Sequence, residues 1–482
     1  MGDRRTGGGR SEQDLSWTRL GTIPDTPFRD CAYPLAIEVT VGIDIGTTSV
    51  KAIAADGDGN AVERARVPHG LLCRRPNELA HDAAEAWCDG VRAALAEVAR
   101  DGHDIKGIQV AAMVPSLCAV GDDGRPISDG MLYGDARGAG GDPTKNPSES
   151  GELVRFLAWL VQEHPEAAGY WPAQGVANHA LCGLGAIDTV TAMTTLPLFD
   201  FTGWDADVAA DAGLTDVSRL PTIHPGTDPI GKVAAAGDAL LGPGTIDAYG
   251  EQLVAGIEDV GDVLVILGST LIVWAVTDDW VELPGVWTVP HTVPGRVLLG
   301  GPSNAGGLFV NWARKLVGGA EAEGSLMHAA DPGRVPVWQP YLRGERVPFH
   351  DPDRRASLHD LDIGMTPGAA MRGVYEASGF AVRHILDLAG IECGRIIATG
   401  GGVQDPNWLA ALADTTGLPV DRVAVPEGGA LGAAYLARVT AGLEASSADA
   451  GRWAKISQRV EPNPTWETAV GERYERYRSL AG

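Results

Sequence analysis

Three things are scarce in this chain, and each scarcity closes off a class of function. Basic charge is the first. Lys and Arg together number 38 against 63 Asp and Glu, a formal net charge of −25 over 482 residues, which excludes a nucleic-acid or anionic-membrane surface. Cysteine is the second. Six residues, Cys31, Cys73, Cys88, Cys118, Cys182 and Cys393, are scattered without a Cys-x-x-Cys pair, so neither a zinc site nor a disulfide framework is indicated. They read as reduced thiols of a cytoplasmic protein. Long apolar runs are the third. The most apolar stretch, Val263 to Val276, is shorter than a membrane span and is interrupted by Gly268, Ser269 and Thr270, so it suits two buried strands around a turn. No solenoid repeat, heptad pattern or secretory signal core stands out.

The length is too great for one hydrophobic core and predicts two lobes with a cleft between them. Residues 1–36, rich in Gly, Arg, Asp and Pro, read as a disordered extension or as a start placed too early. We expect a first lobe over 37–250, a second over 251–445, and a tail with a terminal helix over 446–482.

Val-Gly-Ile-Asp-Ile-Gly-Thr-Thr-Ser-Val-Lys, residues 41–51, joins a strand to a hydroxyl-rich turn. Val39, Val41, Ile43 and Ile45 alternate with Thr40, Gly42 and Asp44, which sends the aliphatics to one face and the carboxylate to the other. Gly46 lets the turn approach an anion closely, while Thr47 and Thr48 offer donors to phosphate oxygens, with Lys51 just beyond. A carboxylate beside phosphate is resolved by hydrated Mg²⁺, which favours one or two carboxylates plus substrate phosphates, so Asp44 is a candidate metal ligand. An ordinary β-hairpin with Asp and Thr at its turn would look the same locally.

Val263 to Val276 repeats the recipe, a buried strand, then Gly268, Ser269 and Thr270, then a second buried strand, and so suggests a duplication. Gly400, Gly401 and Gly402 follow a further strand and precede a helix containing Asn407, where bare backbone can lie against a bulky ligand. Small residues over 430–434 permit close helix packing near that loop or against a neighbouring helix.

Taken in order, these segments resemble the FGGY carbohydrate kinases of the actin, Hsp70 and sugar-kinase superfamily. The resemblance runs through Gly-Ile-Asp-Ile-Gly-Thr-Thr-Ser-Val-Lys at 42–51, Leu-Tyr-Gly-Asp-Ala-Arg-Gly at 132–138, Gly-Thr-Ile-Asp-Ala-Tyr at 244–249, Leu-Gly-Ser-Thr at 267–270, Pro-Tyr-Leu-Arg-Gly-Glu-Arg-Val-Pro at 340–348, the glycine triplet, and Ala-Leu-Gly-Ala-Ala at 430–434. It implies an α/β fold of two ribonuclease H-like lobes, each a mixed five-stranded sheet flanked by helices, closing over ATP, Mg²⁺ and a small sugar. It also implies that Asp247 is the catalytic base, Asp44 the metal-linked aspartate, Asp135 a sugar ligand with Arg137 beside it, and Gly400 to Gly402 the adenosine loop. The 340–348 segment receives no catalytic role.

Read from local pattern, Asp247 is also a good helix N-cap, since Gly-Thr-Ile-Asp precedes Ala-Tyr-Gly-Glu-Gln-Leu, and Asp135 with Arg137 matches a solvated surface pair. Met113, after the strand ending at Ala112, occupies the region where xylulokinases present a Met-His pair to the ketose, but Val114 replaces the histidine. Ala80 stands where glycerol kinases carry a glutamate, which counts against glycerol. Within the family the chain looks most like xylulokinases, and D-xylulose is the expected acceptor. Ribulose, a tetritol or glycerol are the alternatives in class, and a catalytically silent nucleotide sensor the alternative outside it. The expected partners are small molecules; a homodimer is left open.

Overall fold

Alternation in the opening strand decides which side of the first lobe becomes core. The computed structural model describes residues 36–75, 78–138, 151–293, 295–318 and 331–481; the extension expected over 1–36, apart from Ala36, lies outside them, as does Cys31. In the strand Ile37–Ile45, Val39, Val41, Ile43 and Ile45 are fully buried against Trp87, Val91 and Leu95. The opposite face, Thr40, Gly42 and Asp44, is buried as well, so this strand is covered on both sides.

Ile37–Ile45 pairs antiparallel with Ser49–Ala55, which pairs antiparallel with Ala61–Pro68. On its other edge it runs parallel to His103–Ala112, which carries Ala239–Leu241 and Thr245–Ile246 in parallel; Gly231–Val233 closes that edge antiparallel. The second lobe repeats this plan. Asp262–Leu267 lies antiparallel to Leu271–Thr277, which pairs with Val297–Ser303, and on the other side runs parallel to Arg395–Thr399, followed by Val420–Val423. In both lobes three antiparallel strands are followed by parallel ones, the signature of a duplicated unit. Among the described residues each sheet nevertheless holds seven strands, not the five expected. Short additional strands account for the difference, including Trp287–Pro290 and Ile456–Val460 at the edges of the second sheet.

Two segments sit elsewhere than their sequence position suggested. Helix Gly428–Thr440, assigned to the second lobe, packs on the Thr40 face of the first sheet. Backbone contact makes this possible: a Cβ on Gly42 would fall 1.8 Å from the Ala430 carbonyl oxygen, and one on Gly107 2.3 Å from that of Ala437. Thr40 Oγ1 donates to the Ala434 carbonyl at 2.8 Å. The small residues of this helix therefore serve contact with a sheet, which the sequence did not suggest, as well as with the neighbouring helix that it did: a Cβ on Gly432 would fall 2.1 Å from the Gly250 carbonyl oxygen.

The final segment is no appended tail. Ile456–Val460 pairs with Val420–Val423, and helix Glu467–Ala481 buries Tyr474 and Tyr477 against Phe380 and Tyr341. Large side chains of this kind contribute about 1.5–3 kcal/mol each on burial. Arg473 on the same helix grips Glu376 at 2.7 and 2.8 Å, tying the terminus to helix Pro367–Ala389. Among the described residues no helix is long and apolar enough to cross a membrane.

Candidate active site

The two hydroxyl turns face each other. Thr47 Oγ1 lies 3.1 Å from the Tyr133 hydroxyl, which lies 3.2 Å from Thr270 Oγ1, so one phenol oxygen spans the gap between the first and second lobes. Thr47 is buried and Thr48 exposed. His81 fixes the first turn from below: its Nδ1 accepts from the Trp87 indole at 3.0 Å, which leaves Nε2–H to donate to the Thr47 carbonyl at 2.8 Å. Burial, with the neighbouring His69 adding to it, holds the His81 pKa down to about 4, so the ring stays neutral. The second turn is pinned by the start of helix Gly307–Leu316, whose Gly307 and Leu308 amides donate to the carbonyls of Gly268 and Ser269 at 2.8 and 3.1 Å.

Beside the first turn lies a cluster of acids around one lysine. Asp44 and Lys51 are directly opposite across the hairpin, with Nζ 3.3 Å from Oδ2; the Asp44 charge is the main reason the Lys51 pKa is raised. Helix Gly428–Thr440 begins here: a Cβ on Gly429 would lie 3.2 Å from the Asp44 carboxyl carbon. Helix Asp247–Leu253 crosses it where Gly250 meets Gly432, bringing Asp247 and Glu251 into the cluster. Two helix starts, each with positive dipole ends, thus converge on a group of carboxylates.

Asp247 does not cap its helix. The N-cap position belongs to Ile246, and Asp247, the first helical residue, accepts the Ala248 amide at 2.7 Å through Oδ1. The capping expectation fails because the chain turns helical one residue early; the effect is to hold the carboxyl rigidly. Its pKa is pushed up to about 6, chiefly by burial and next by the charge of Asp44. Glu251 is pushed to about 7 by burial, and its Oε2 accepts from Thr399 Oγ1 at 2.7 Å.

The donor set suits Mg²⁺. Asp44 Oδ1 is buried with no hydrogen-bond partner, a position that a hydrated cation satisfies, and Mg²⁺ needs only one or two protein carboxylates alongside phosphates and water. Among the described residues no group of three or more His, Cys, Asp or Glu side chains is placed to hold a metal ion by itself.

Thr399 ends the strand Arg395–Thr399, and the glycine triplet follows it directly. Gly400 has a φ of +85°, in the region that favours glycine. A Cβ on Gly402 would strike Leu267 and Trp408 at 2.7 and 2.6 Å, whereas Gly401 faces open space. Helix Pro406–Thr416 is capped by Asp405, which accepts the Asn407 amide at 3.0 Å.

Profiles of the FGGY family of carbohydrate kinases match residues 39–141 with its N-terminal domain and 263–441 with its C-terminal domain, between them more than half of the chain. The chain is an FGGY carbohydrate kinase. This kinase is similar to the xylulose kinase of Escherichia coli K12, 25% identical over 477 residues that span 91% of this chain and 98% of that one. It is also similar to the glycerol kinase of Allorhizobium ampelinum, 27% identical and spanning 89% and 95% of the two chains. The crystal structure of xylulose kinase from Rhodospirillum rubrum superposes with a TM-score of 0.72 at 25% identity, over 92% of this chain and 98% of that one. Such a kinase is ATP-dependent, uses Mg²⁺, and takes a small sugar as the second substrate.

Within this kinase the expected sugar ligands are placed differently from the expectation. Asp135 is buried, and both its oxygens are taken: Leu79 N–H at 2.7 Å, Arg137 N–H at 2.9 Å, and the Arg137 guanidinium at 2.8 and 2.7 Å. Arg137 stacks over Trp159 with its Cζ 4.9 Å from the ring centroid. The pair is therefore a buried brace between two loops and not the solvated surface pair that local pattern suggested. Met113 is 2% exposed inside the first lobe's apolar core. It fills the core and presents no surface to a substrate.

Sequence reasoning passed over Tyr133, Glu251, Thr399 and His81. Glu251 was within reach, since it stands four residues after Asp247 and so shares its helix face. Tyr133 lies inside a quoted motif, but nothing local says that its hydroxyl meets turns 86 and 137 residues away.

Proposed function

We propose that this kinase transfers the γ-phosphate of ATP to a hydroxyl of a ketopentose, D-xylulose first among them, with Asp247 as the base. The observation that carries this reading is the carboxyl of Asp247, fixed at a helix start beside Asp44 and Lys51 of the first hairpin. A hydroxyl attacking phosphorus must lose its proton as the bond forms, and a carboxylate with a pKa of about 6 is ionised at neutral pH yet basic enough to receive it. Thr47, Thr48, Ser269 and Thr270 hold the phosphates, with Lys51 balancing charge. Gly400 to Gly402 and Asn407 border the nucleoside. Asp44 would hold Mg²⁺, which when bound would supply neutralisation of the phosphate charge. Phosphoryl transfer is largely alignment and charge stabilisation, which is what two facing donor turns provide.

D-xylulose is supported by the xylulose kinases among the similar proteins, and glycerol is disfavoured by Ala80 at the position noted above. The similar glycerol kinase keeps polyols in the test. ADP release should be followed with D-xylulose, D-ribulose, L-ribulose, a tetritol and glycerol. The reading expects kcat/KM to be greatest for D-xylulose. Brisk turnover of a polyol with none of D-xylulose would reject it.

A further inference from the structure

The Pro340–Pro348 segment, given no role from sequence, reaches the interlobe gap. Glu345 anchors it from within the second lobe, accepting from Ser303 Oγ at 2.8 Å, the Asn304 amide at 2.8 Å and the Arg346 amide at 2.7 Å. With its backbone held so, Arg346 extends toward the first lobe and sets its guanidinium 5.3 Å from the centroid of the Tyr133 ring. That is the ring whose hydroxyl links Thr47 to Thr270.

The Nε and Nη2 atoms of Arg346 are buried and have no hydrogen-bond partner among the described residues. These two atoms form the side-on edge of a guanidinium. Elsewhere in this chain the same edge grips two-oxygen groups: Arg137 on Asp135, Arg395 on Asp262 and Arg473 on Glu376, all at 2.7 to 2.9 Å. Leaving such donors buried without an acceptor is unfavourable, so the edge is built for something that enters the cleft. Glu152 and Glu345 flank the guanidinium and contribute to its electrostatic surroundings, yet neither closes the edge.

We propose that Arg346 is a substrate-binding residue whose Nε and Nη2 edge takes two oxygens of the phosphoryl group as it passes between the hydroxyl turns. Two arguments select phosphoryl oxygens over sugar hydroxyls. A planar fork matches a pair of acceptor oxygens on one phosphorus, and the stacked Tyr133 places that fork beside the junction of both turns. The proposal rests on the reading of those turns as the phosphate site.

The test uses Arg346→Ala and Arg346→Lys with whichever sugar the intact enzyme phosphorylates. In Arg346→Ala, kcat is expected to fall about 10²- to 10³-fold, the usual weight of one preorganised donor to developing charge. The sugar KM and the affinity for ADP, which lacks the transferred group, should stay within about threefold. Added methylguanidinium should restore part of the rate. Arg346→Lys, which keeps charge but loses the fork, should remain far below the intact enzyme, and it carries the test alone if the alanine variant does not fold. Unchanged kcat, a loss confined to sugar KM, or an equal loss of ADP affinity would each overturn the assignment. An intact enzyme that phosphorylates no sugar would defeat the functional reading itself, whereas an active enzyme with fully active Arg346 variants defeats this inference only.

Discussion

Replacing Asp247 by Asn should separate function from stability in opposite directions. The carboxyl's pKa rises from 3.8 to about 6 on folding, so the native state binds this proton more tightly than the unfolded chain does. The sign follows: ionised Asp247 opposes folding above pH 6, and the penalty fades as the pH falls through 6 and is gone below the unfolded value near 4. Two units at 1.36 kcal/mol each bound the effect at about 3 kcal/mol, and water at the mouth of this half-buried site reduces it to about 1–2 kcal/mol. Asp247→Asn, which carries no charge, should therefore gain about 1–2 kcal/mol in urea unfolding at pH 7.5 and roughly half of that at pH 5. The same variant should lose about 10²- to 10⁴-fold in kcat. In the intact enzyme kcat/KM should rise with pH through about 6, because only the ionised carboxyl accepts a proton. A variant that keeps its turnover, or one that loses stability at pH 7.5, would refute the reasoning.

Other consequences follow from particular contacts. Asp44→Asn removes the buried charge at the orphan oxygen and should raise the Mg²⁺ concentration for half-maximal rate by about 10- to 100-fold; an unchanged Mg²⁺ titration would contradict that role. Gly42→Ala puts a methyl 1.8 Å from the Ala430 carbonyl and should cost about 3 kcal/mol or more in urea unfolding, whereas Gly401→Ala, facing open space, should change stability by less than about 0.5 kcal/mol. Asp135→Ala strands the Arg137 guanidinium and the Leu79 amide, so a loss of about 3–5 kcal/mol is expected in place of a selective rise in sugar KM. A fully stable variant with only the sugar KM raised would restore the sugar-contact reading.

The parts of the fold legible in sequence are those written in a short repeating pattern. The period-two aliphatics of Ile37–Ile45 and the Gly-hydroxyl-hydroxyl turns at 46–48 and 268–270 gave the two matching hairpins, because both signals are local. The helix Gly428–Thr440 shows where locality ends. Its Gly and Ala residues announce close packing but do not name the partners, a strand nearly 400 positions earlier that carries its own glycine at 42 and a helix that carries one at 250. The solvated-pair reading of Asp135 and Arg137 failed for a related reason: spacing shows that the two can pair, but burial, which turns a surface pair into a brace, depends on Leu79 and Trp159. The orphan edge of Arg346 is a property of what does not surround it, and no pattern of residues records that.

The most direct test of the whole account is the distance from Asp247 to the acceptor hydroxyl in a crystal structure with the preferred sugar, Mg²⁺ and a non-hydrolysable ATP analogue. The account predicts a sugar hydroxyl within about 2.6–3.2 Å of an Asp247 carboxylate oxygen, with the terminal phosphoryl group between the turns at Thr47 and Thr270. A sugar seated elsewhere, with Asp247 out of reach of every hydroxyl, would contradict it.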